Sequence, residues 1–391
     1  MRTRILASID EVTAGEWNAL VGAGAPFLRH EFLAALEHNR CVGADSGWSP
    51  CHLVLAEPSG ALLAAMPLYR KLHSWGEFVF DFAWAQAYSR NGLEYYPKLV
   101  SAIPFTPASG PRLLSRADGT PGAAALRAKL LAEALQYAAD QNLSSLHVLF
   151  PEDAQARELA GGGLLLRRDC QFHWRNRGYA DFEDFLQTFT AEKRKKARRE
   201  RRRVTEAGIR FRTLSAAELD ARTWRHVHAL HTDTFLRHGH TPYLGVEFFL
   251  EITRTLPESI VVHSAWRGAQ MVAAAICFRG QDTLYGRYWG ASEEHHSLHF
   301  ETCYHQGIEY CIRAGLQRFE PGTQGEHKVS RGFGPELTWS AHWIADPRFA
   351  RAIEDYLRRE ALAVDEYAAQ IADHVPFKQR GPTADAVRAP D

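Results

Sequence analysis

Glu301 and His305 lie four residues apart in a stretch with helical spacing, so one helical face carries a carboxylate beside an imidazole. Phe300, Tyr304, Ile308, Cys311 and Ile312 fall on the apolar side of that helix, and the pair sits at its margin, beside Ile308 and Ile312. A carboxylate at such a margin is expected to have a raised pKa, which suits a general base that takes a proton from an amine. The plainer alternative is a buried Glu–His hydrogen bond that only orders the helix. A second group, Glu326-His327-Lys328 followed by Arg331-Gly332, comes just after a strand end, where loops often carry function. There His327 is suited to moving a proton, and Lys328 and Arg331 to holding an anion. The plainer alternative is an exposed polar loop.

The run Lys193-Arg-Lys-Lys-Ala-Arg-Arg-Glu-Arg-Arg-Arg203 is the largest local charge. It begins a helix expected to end near Gly208. Its cations, Lys195 and Arg199 among them, suit the phosphates of a nucleotide, an anionic lipid head group or tRNA. A solvated helical face is the alternative. No aromatic residues interleave with the charges, which argues against sequence-specific nucleic-acid binding. His295, His296, His299, Glu301 and His305 are dense in ligand atoms, yet they do not form His-Glu-x-x-His, and His299 points away from Glu301 on a helix. No metal is expected. Neither a Gly-x-x-x-x-Gly-Lys-Ser/Thr loop nor a Gly-x-Ser-x-Gly elbow occurs, so nucleotide hydrolysis and serine esterase chemistry have no support.

Elements must position these groups. Thr283 to Trp289 alternates and is aromatic, and reads as a strand. The helix with Glu301 follows and stops at Gly315, and Gln317 to Glu320 is a short strand broken by Pro321-Gly322. An open α/β sheet places its ligands at such strand ends. Upstream come a hairpin, His52 to Ala56 and Leu62 to Tyr69, turning at Pro58-Ser-Gly60, a helix from Ala123 to Gln141 and a strand from Leu146 to Phe150. Residues 74–111 show no clear period and read as strands and long loops. Downstream the order recurs: helices at His226 to Phe235 and Val246 to Thr255, a hairpin of Ile260 to Trp266 and Met271 to Phe278, then strand, helix, strand. The repeated order predicts two copies of one α/β unit, 1–175 and 176–375, joined near Arg175 to Asp181, with the active site expected in the second. Phe349 to Ile371 is expected as a closing helix, and 376–391 as a disordered tail.

The length of 391 residues fits two or three domains. Lys plus Arg equals Asp plus Glu, at 46 each, so any charge effect is local. No stretch approaches the roughly 18 apolar residues of a membrane span, and the start lacks the apolar core of a signal peptide. The six cysteines form no Cys-x-x-Cys pair and read as reduced thiols of a cytoplasmic protein.

Several motifs carry a resemblance. Tyr285-Gly-Arg-Tyr-Trp-Gly, Leu298-His-Phe-Glu, Gln306-Gly-Ile and Glu320-Pro-Gly-x-Gln-Gly-Glu-His-Lys-x-x-Arg-Gly-Phe are similar to those of the FemAB-like peptidoglycan biosynthesis/recognition proteins. So are Gln171-Phe-His-Trp-x-Asn, Asp181-Phe-x-x-Phe-Leu with the basic run after it, and Thr241-Pro-Tyr-Leu. That family is a bacterial branch of the GNAT acyltransferases. The resemblance implies two tandem GNAT-like folds, each a mixed, mostly antiparallel sheet flanked by helices. It also implies transfer of an acyl or aminoacyl group to an amine on a small molecule or peptide. Many GNAT enzymes hold the acyl-CoA pyrophosphate on a glycine-bearing loop before the central helix. This chain has Ser292-Glu-Glu-His-His-Ser-Leu-His there, so acyl-CoA is a candidate co-substrate without its usual loop. Fem-type enzymes use aminoacyl-tRNA instead.

On this footing Glu301, with His327, is expected to accept the ammonium proton. Strand N–H groups would hold the oxyanion, and Tyr288 or Tyr304 would protonate the leaving group. Arg287, Lys328, Arg331 and the basic helix would hold phosphate, with His305 and Glu326 beside them. A non-catalytic protein that recognises a phosphorylated cell-wall or lipid precursor is the rival expectation.

Overall fold

The apolar runs and turn residues fold into fifteen strands among the described residues. They are β1 (Arg2–Leu6), β2 (Trp48–Pro50), β3 (His52–Ala56), β4 (Leu62–Met66), β5 (Tyr69–Lys71), β6 (Lys98–Ser101), β7 (Leu114–Ser115), β8 (Ser145–Leu149), β9 (Leu165–Arg175), β10 (Ile209–Leu214), β11 (Ile260–Arg267), β12 (Gln270–Arg279), β13 (Thr283–Ala291), β14 (Arg318–Glu320) and β15 (Gly334–Ile344). This is a computed structural model of the chain, and it describes residues 1–22, 24–116, 120–323 and 325–378. Four strands form a small sheet, β1-β3-β4-β7, and eleven form a large one, β10-β11-β12-β13-β14-β9-β15-β8-β6-β5-β2.

Both ends of the large sheet are built alike. β13 and β14 are parallel and joined by the helical stretch 298–314; β6 and β8 are parallel and joined across helix Pro121–Asp140. The other pairs of this sheet are antiparallel. A parallel pair needs a crossover of this kind, because a tight turn can only reverse the chain. The fold is therefore mixed α/β, with one parallel crossover in each half of the large sheet.

The sheet runs without a break across Arg175. β9 pairs with β14 at Arg175–Arg318 and Trp174–Phe319, and with β15 over nine residues from His173–Gly334 to Leu165–His342. β15 also pairs with β8. The last strand of the chain thus lies between two strands of the N-terminal half. Here His147 and His342 face each other, Nδ1 to Nδ1 at 2.6 Å, fully enclosed.

Aromatic packing ties the halves together a second time. Phe27 meets Phe278 and Tyr285 at ring separations of 5.2 and 4.9 Å, and Phe32 meets Phe248 at 5.4 Å. Helix Ala221–Arg237 lies close on β13 because Gly290 has no side chain. A Cβ there would fall 2.1 Å from the Leu230 carbonyl carbon.

Three local expectations change. Phe82–Arg90 is a helix inside the run read as strands and loops, and Asp153–Gly161 is a further helix. The helix after β13 is interrupted by a π turn at Glu301–His305. Of the expected tail, residues 379–391 lie outside the described residues. Its first part is fixed, since Phe377 bridges Phe189 and Lys378 N–H donates to the Thr188 carbonyl at 2.9 Å.

Candidate active site

β13 and β14 pair only at Thr283–Arg318, Leu284–Phe319 and Tyr285–Glu320. β14 then ends, and β13 runs on to Ala291. A bulge between Ile276 and Cys277 of β12 gives β13 one residue more than its partner near Arg287 and bends it. The two strands therefore part, and Pro321-Gly322 takes the other chain away.

Three elements close around this gap: β13, the helical stretch 298–314 and the short helix Glu326–Arg331. Trp289 of β13 meets His299 at 5.2 Å, and His299 meets His327 at 5.9 Å. The Tyr304 hydroxyl and His327 Nε2 are 2.8 Å apart, and Phe300 lies 5.4 Å from the same imidazole. The π turn makes this possible, because its extra residue turns Phe300 and Tyr304 to the loop while Glu301 meets Arg201 of helix Ala191–Glu206 and His305 meets Phe182.

The electrostatics follow burial. His327 is exposed yet held below its ordinary pKa, by partial burial first and by the Lys328 and Arg331 charges next. His299, more buried, falls to about 4, so both rings are neutral at pH 7. Lys328 is 2 % exposed, and its Nζ donates to the Gly322 carbonyl at 2.7 Å. It pairs with no carboxylate among the described residues, and burial brings it down to about 7. Tyr304 is pushed well up by burial and keeps its proton.

Glu301 is not the raised carboxylate expected. Its Oε1 accepts from Arg201 Nε at 3.1 Å and Gln306 Nε2 at 2.8 Å, and its Oε2 sits 3.0 Å from His305 Nδ1. Burial alone would raise it; the bonds to His305, Arg201 and Gln306 outweigh burial and hold it at about 2. The geometry gives Glu301 and His305 the ordering role, with His305 also packed on Phe182 at 5.5 Å.

Arg331 is likewise committed. It forms two 2.9 Å bonds to Glu200, and its guanidinium lies 3.4 Å above the Phe300 ring. Tyr288 packs against His231 at 4.8 Å, with the Arg287 guanidinium 5.4 Å from its ring. Arg287 reaches the other way and donates to the Phe105 carbonyl of the N-terminal half. Glu326 is exposed and accepts from the Tyr367 hydroxyl at 2.9 Å. Lys195 and Arg199 lie on the outer face of their helix, away from this cluster.

Sequence reading passed over Glu320. It ends β14, paired with Tyr285, 4 % exposed, with Oε2 unpartnered among the described residues, and burial raises it to about 7. An acid directly before the Pro-Gly strand break was the available signal. Arg201 and Glu200 were also missed, since nothing local shows which members of a charge run turn inward.

Two cavities flank the parting strands. One, of about 650 Å³, lies at the end of β13 and carries Arg237, His238, His295, His296 and His299 with Glu293 and Glu294. The other, of about 340 Å³, lies between the 323–326 loop and the N-terminal half. Among the described residues no group of side chains could hold a metal ion, and no helix is long and apolar enough to cross a membrane.

The family model described as peptidoglycan biosynthesis/recognition matches residues 8–379. No curated protein matches the sequence. Among solved structures, the C-terminal domain of a putative lysylphosphatidylglycerol synthetase from Agrobacterium fabrum is similar at 10% identity and a TM-score of 0.54, covering 95% of this chain and 100% of that one. FemX is similar at 10% identity and a TM-score of 0.53, covering 90% and 100%. L-PGS from Bacillus licheniformis is similar at 12% identity and a TM-score of 0.50, covering 87% and 98%. At these identities the likeness is one of fold.

Proposed function

The chain belongs to the FemAB-like family of peptidoglycan biosynthesis/recognition proteins, and on that premise we propose that it is an N-acyltransferase that moves an acyl or aminoacyl group from an activated donor to an amine. The observation that carries this reading is His327: an exposed imidazole, kept neutral, fixed by Tyr304, at the place where β13 and β14 part.

An amine with an ordinary pKa near roughly 10.4 is almost entirely ammonium at pH 7 and must lose a proton before it attacks. With Nε2–H donated to the Tyr304 oxygen, His327 Nδ1 takes that proton. The amine nitrogen then attacks the donor carbonyl; the new C–N bond forms, the C–S or C–O bond to the donor breaks, and the leaving sulfur or oxygen takes up the proton that the nitrogen sheds as the amide forms. The edge of β13 past Tyr285, freed from β14, offers N–H groups to the oxyanion. Lys328, when charged, sits beside the developing negative charge. Glu301 serves by fixing the helix rather than by taking the proton.

The donor is the second choice to be made. Glu293 and Glu294 line the cavity where an acyl-CoA pyrophosphate would bind, while Lys195, Lys196 and Arg199 expose an outer face with no carboxylate partner among the described residues. This favours an aminoacyl-tRNA donor over acyl-CoA. The six unpaired cysteines suit a reducing compartment, and the cytoplasm is the proposed location.

The test is product formation, followed by mass spectrometry, with acyl-CoAs and aminoacyl-tRNAs as donors and primary amines as acceptors. His327→Ala should lower turnover by about 10²-fold or more without unfolding the chain. The kcat/KM profile should be bell-shaped: rising through the depressed His327 pKa, below 6.5, and falling through about 7 as Lys328 loses its charge. Turnover that survives both His327→Ala and Lys328→Met unchanged would refute the mechanism.

A further inference from the structure

The smaller cavity beside the gap differs in chemistry from the larger one. It is lined by Asp169 to Phe172 of β9, by Phe78, Phe80 and Phe150 of the N-terminal half, and by Thr323, Gly325, Glu326 and Tyr367, with Glu326 next to His327 in the chain. Phe78, Phe80, Phe150 and Phe172 are among its lining residues, and Asp169 and Glu326 supply the charge. No lysine, arginine or histidine lines it. Neither acid has an ion-pair partner among the described residues. The Asp169 carboxylate accepts only from the Cys170 N–H, at 2.7 Å, and Glu326 only from the Tyr367 hydroxyl. Arg167, across an adjoining groove, is taken up by two bonds to Glu360 at 2.8 and 2.7 Å. Two carboxylates without ion-pair partners among the described residues, set among four phenylalanine rings, make a site that attracts a cation twice over, by charge and by the ring faces. Its volume of about 340 Å³ falls in the roughly 300–1,000 Å³ range of small-molecule sites.

Resting on the acyltransferase reading above, we propose that this cavity is the acceptor site and that the acceptor is a cationic primary amine on an apolar or aromatic body, without a phosphate of its own. The ammonium lies between Asp169 and Glu326, and the body against Phe78, Phe80 and Phe150. Glu326 immediately precedes His327, so an amine held there is one residue from the group that takes its proton. A nucleotide-linked acceptor would bring phosphates against two carboxylates and is disfavoured at this position. Phe80, 51 % exposed, continues outward to Phe82 and Trp75, with ring separations of 5.9 and 5.2 Å along that series. The body of the acceptor therefore has a ledge on which to extend toward solvent.

The full chain is titrated calorimetrically, without donor, with 2-naphthylethylamine and with its neutral analogue 2-naphthylethanol. The amine should bind at least tenfold more tightly. The double variant Asp169→Asn, Glu326→Gln should erase that preference, and Phe80→Ala should weaken both ligands while leaving the preference intact. Equal affinity for amine and alcohol overturns the proposal, as does an undiminished preference in the double variant. Acyl transfer to an amine by a chain that shows no such preference would refute this site alone. The predicted preference with no transfer from any donor would refute the acyltransferase reading and leave the cation site standing.

Discussion

Glu301 shows how far a single side chain departs from its sequence context. The four-residue spacing to His305 is real and is used, as a 3.0 Å bond that orders a buried turn. What no spacing could show is Arg201, one hundred positions earlier, whose guanidinium adds to the pull of His305 in keeping a desolvated acid ionised. The consequence for stability has a definite sign. The folded carboxyl titrates at about 2 and the unfolded one near 4.5, so folding favours the ionised form. The contribution is complete above about 4.5 and is lost as pH falls toward 2. Glu301→Gln should therefore lower stability at pH 7, flatten the acid-unfolding curve between pH 4.5 and 2, and leave turnover within a few-fold of wild type. Circular dichroism across that range, with the transfer assay beside it, checks both parts. The loop residues Glu326 to Arg331 were legible as a candidate group because ionisable side chains crowd between glycines. The Glu200 partner that neutralises Arg331 was not, being another long-range contact.

At the scale of elements, helix Ala191–Glu206 is the clearest case. A run of basic residues reads as one feature, yet folding divides it. Ala197, Glu200 and Val204 are buried, Arg201 is half-buried, and Lys195, Lys196, Arg199 and Arg202 are exposed. The two faces should respond oppositely to mutation. Glu200→Gln leaves Arg331 charged and unpaired at 4 % side-chain exposure, and breaking such a buried pair costs about 3–5 kcal/mol. Thermal unfolding should show that loss, with Tm falling by several degrees. Lys195→Glu with Arg199→Glu should leave Tm nearly unchanged but weaken tRNA retention in a gel shift and reduce its salt dependence. Equal retention by that variant would remove the helix from donor binding. Most elements were visible beforehand because apolar periodicity marks them, as in Val246–Thr255 or Pro347–Ala372. Phe82–Arg90 was not. Its aromatic residues sit in a longer stretch of Trp, Phe, Tyr and Gly whose period is obscured, and tertiary packing of Trp84 and Tyr88 settles it as a helix.

In the whole molecule the decisive feature is β15. Its alternation could have marked it as a strand, but its neighbours, β8 and β9, come from residues 145–175, and no local pattern names a partner so distant. The repeated element order did foretell two similar units; it gave no hint that a strand from the end of one completes the sheet of the other. A chain cut after residue 333 should therefore lose more than its last strand and helix. Calorimetry should show one cooperative transition for the full chain, and the cut chain should unfold in both halves, with β8 and β9 left as open edges that promote aggregation. Two independent transitions in the full chain would show the halves to be uncoupled. The same strand order sets a timetable during synthesis. The segment that must slide between β9 and β8 emerges from the ribosome about 170 residues after β9, a wait on the order of 10–30 s at usual elongation rates. Over that interval β8 lacks one neighbour and β9 lacks both, so the nascent N-terminal half carries strand edges open to pairing with other chains.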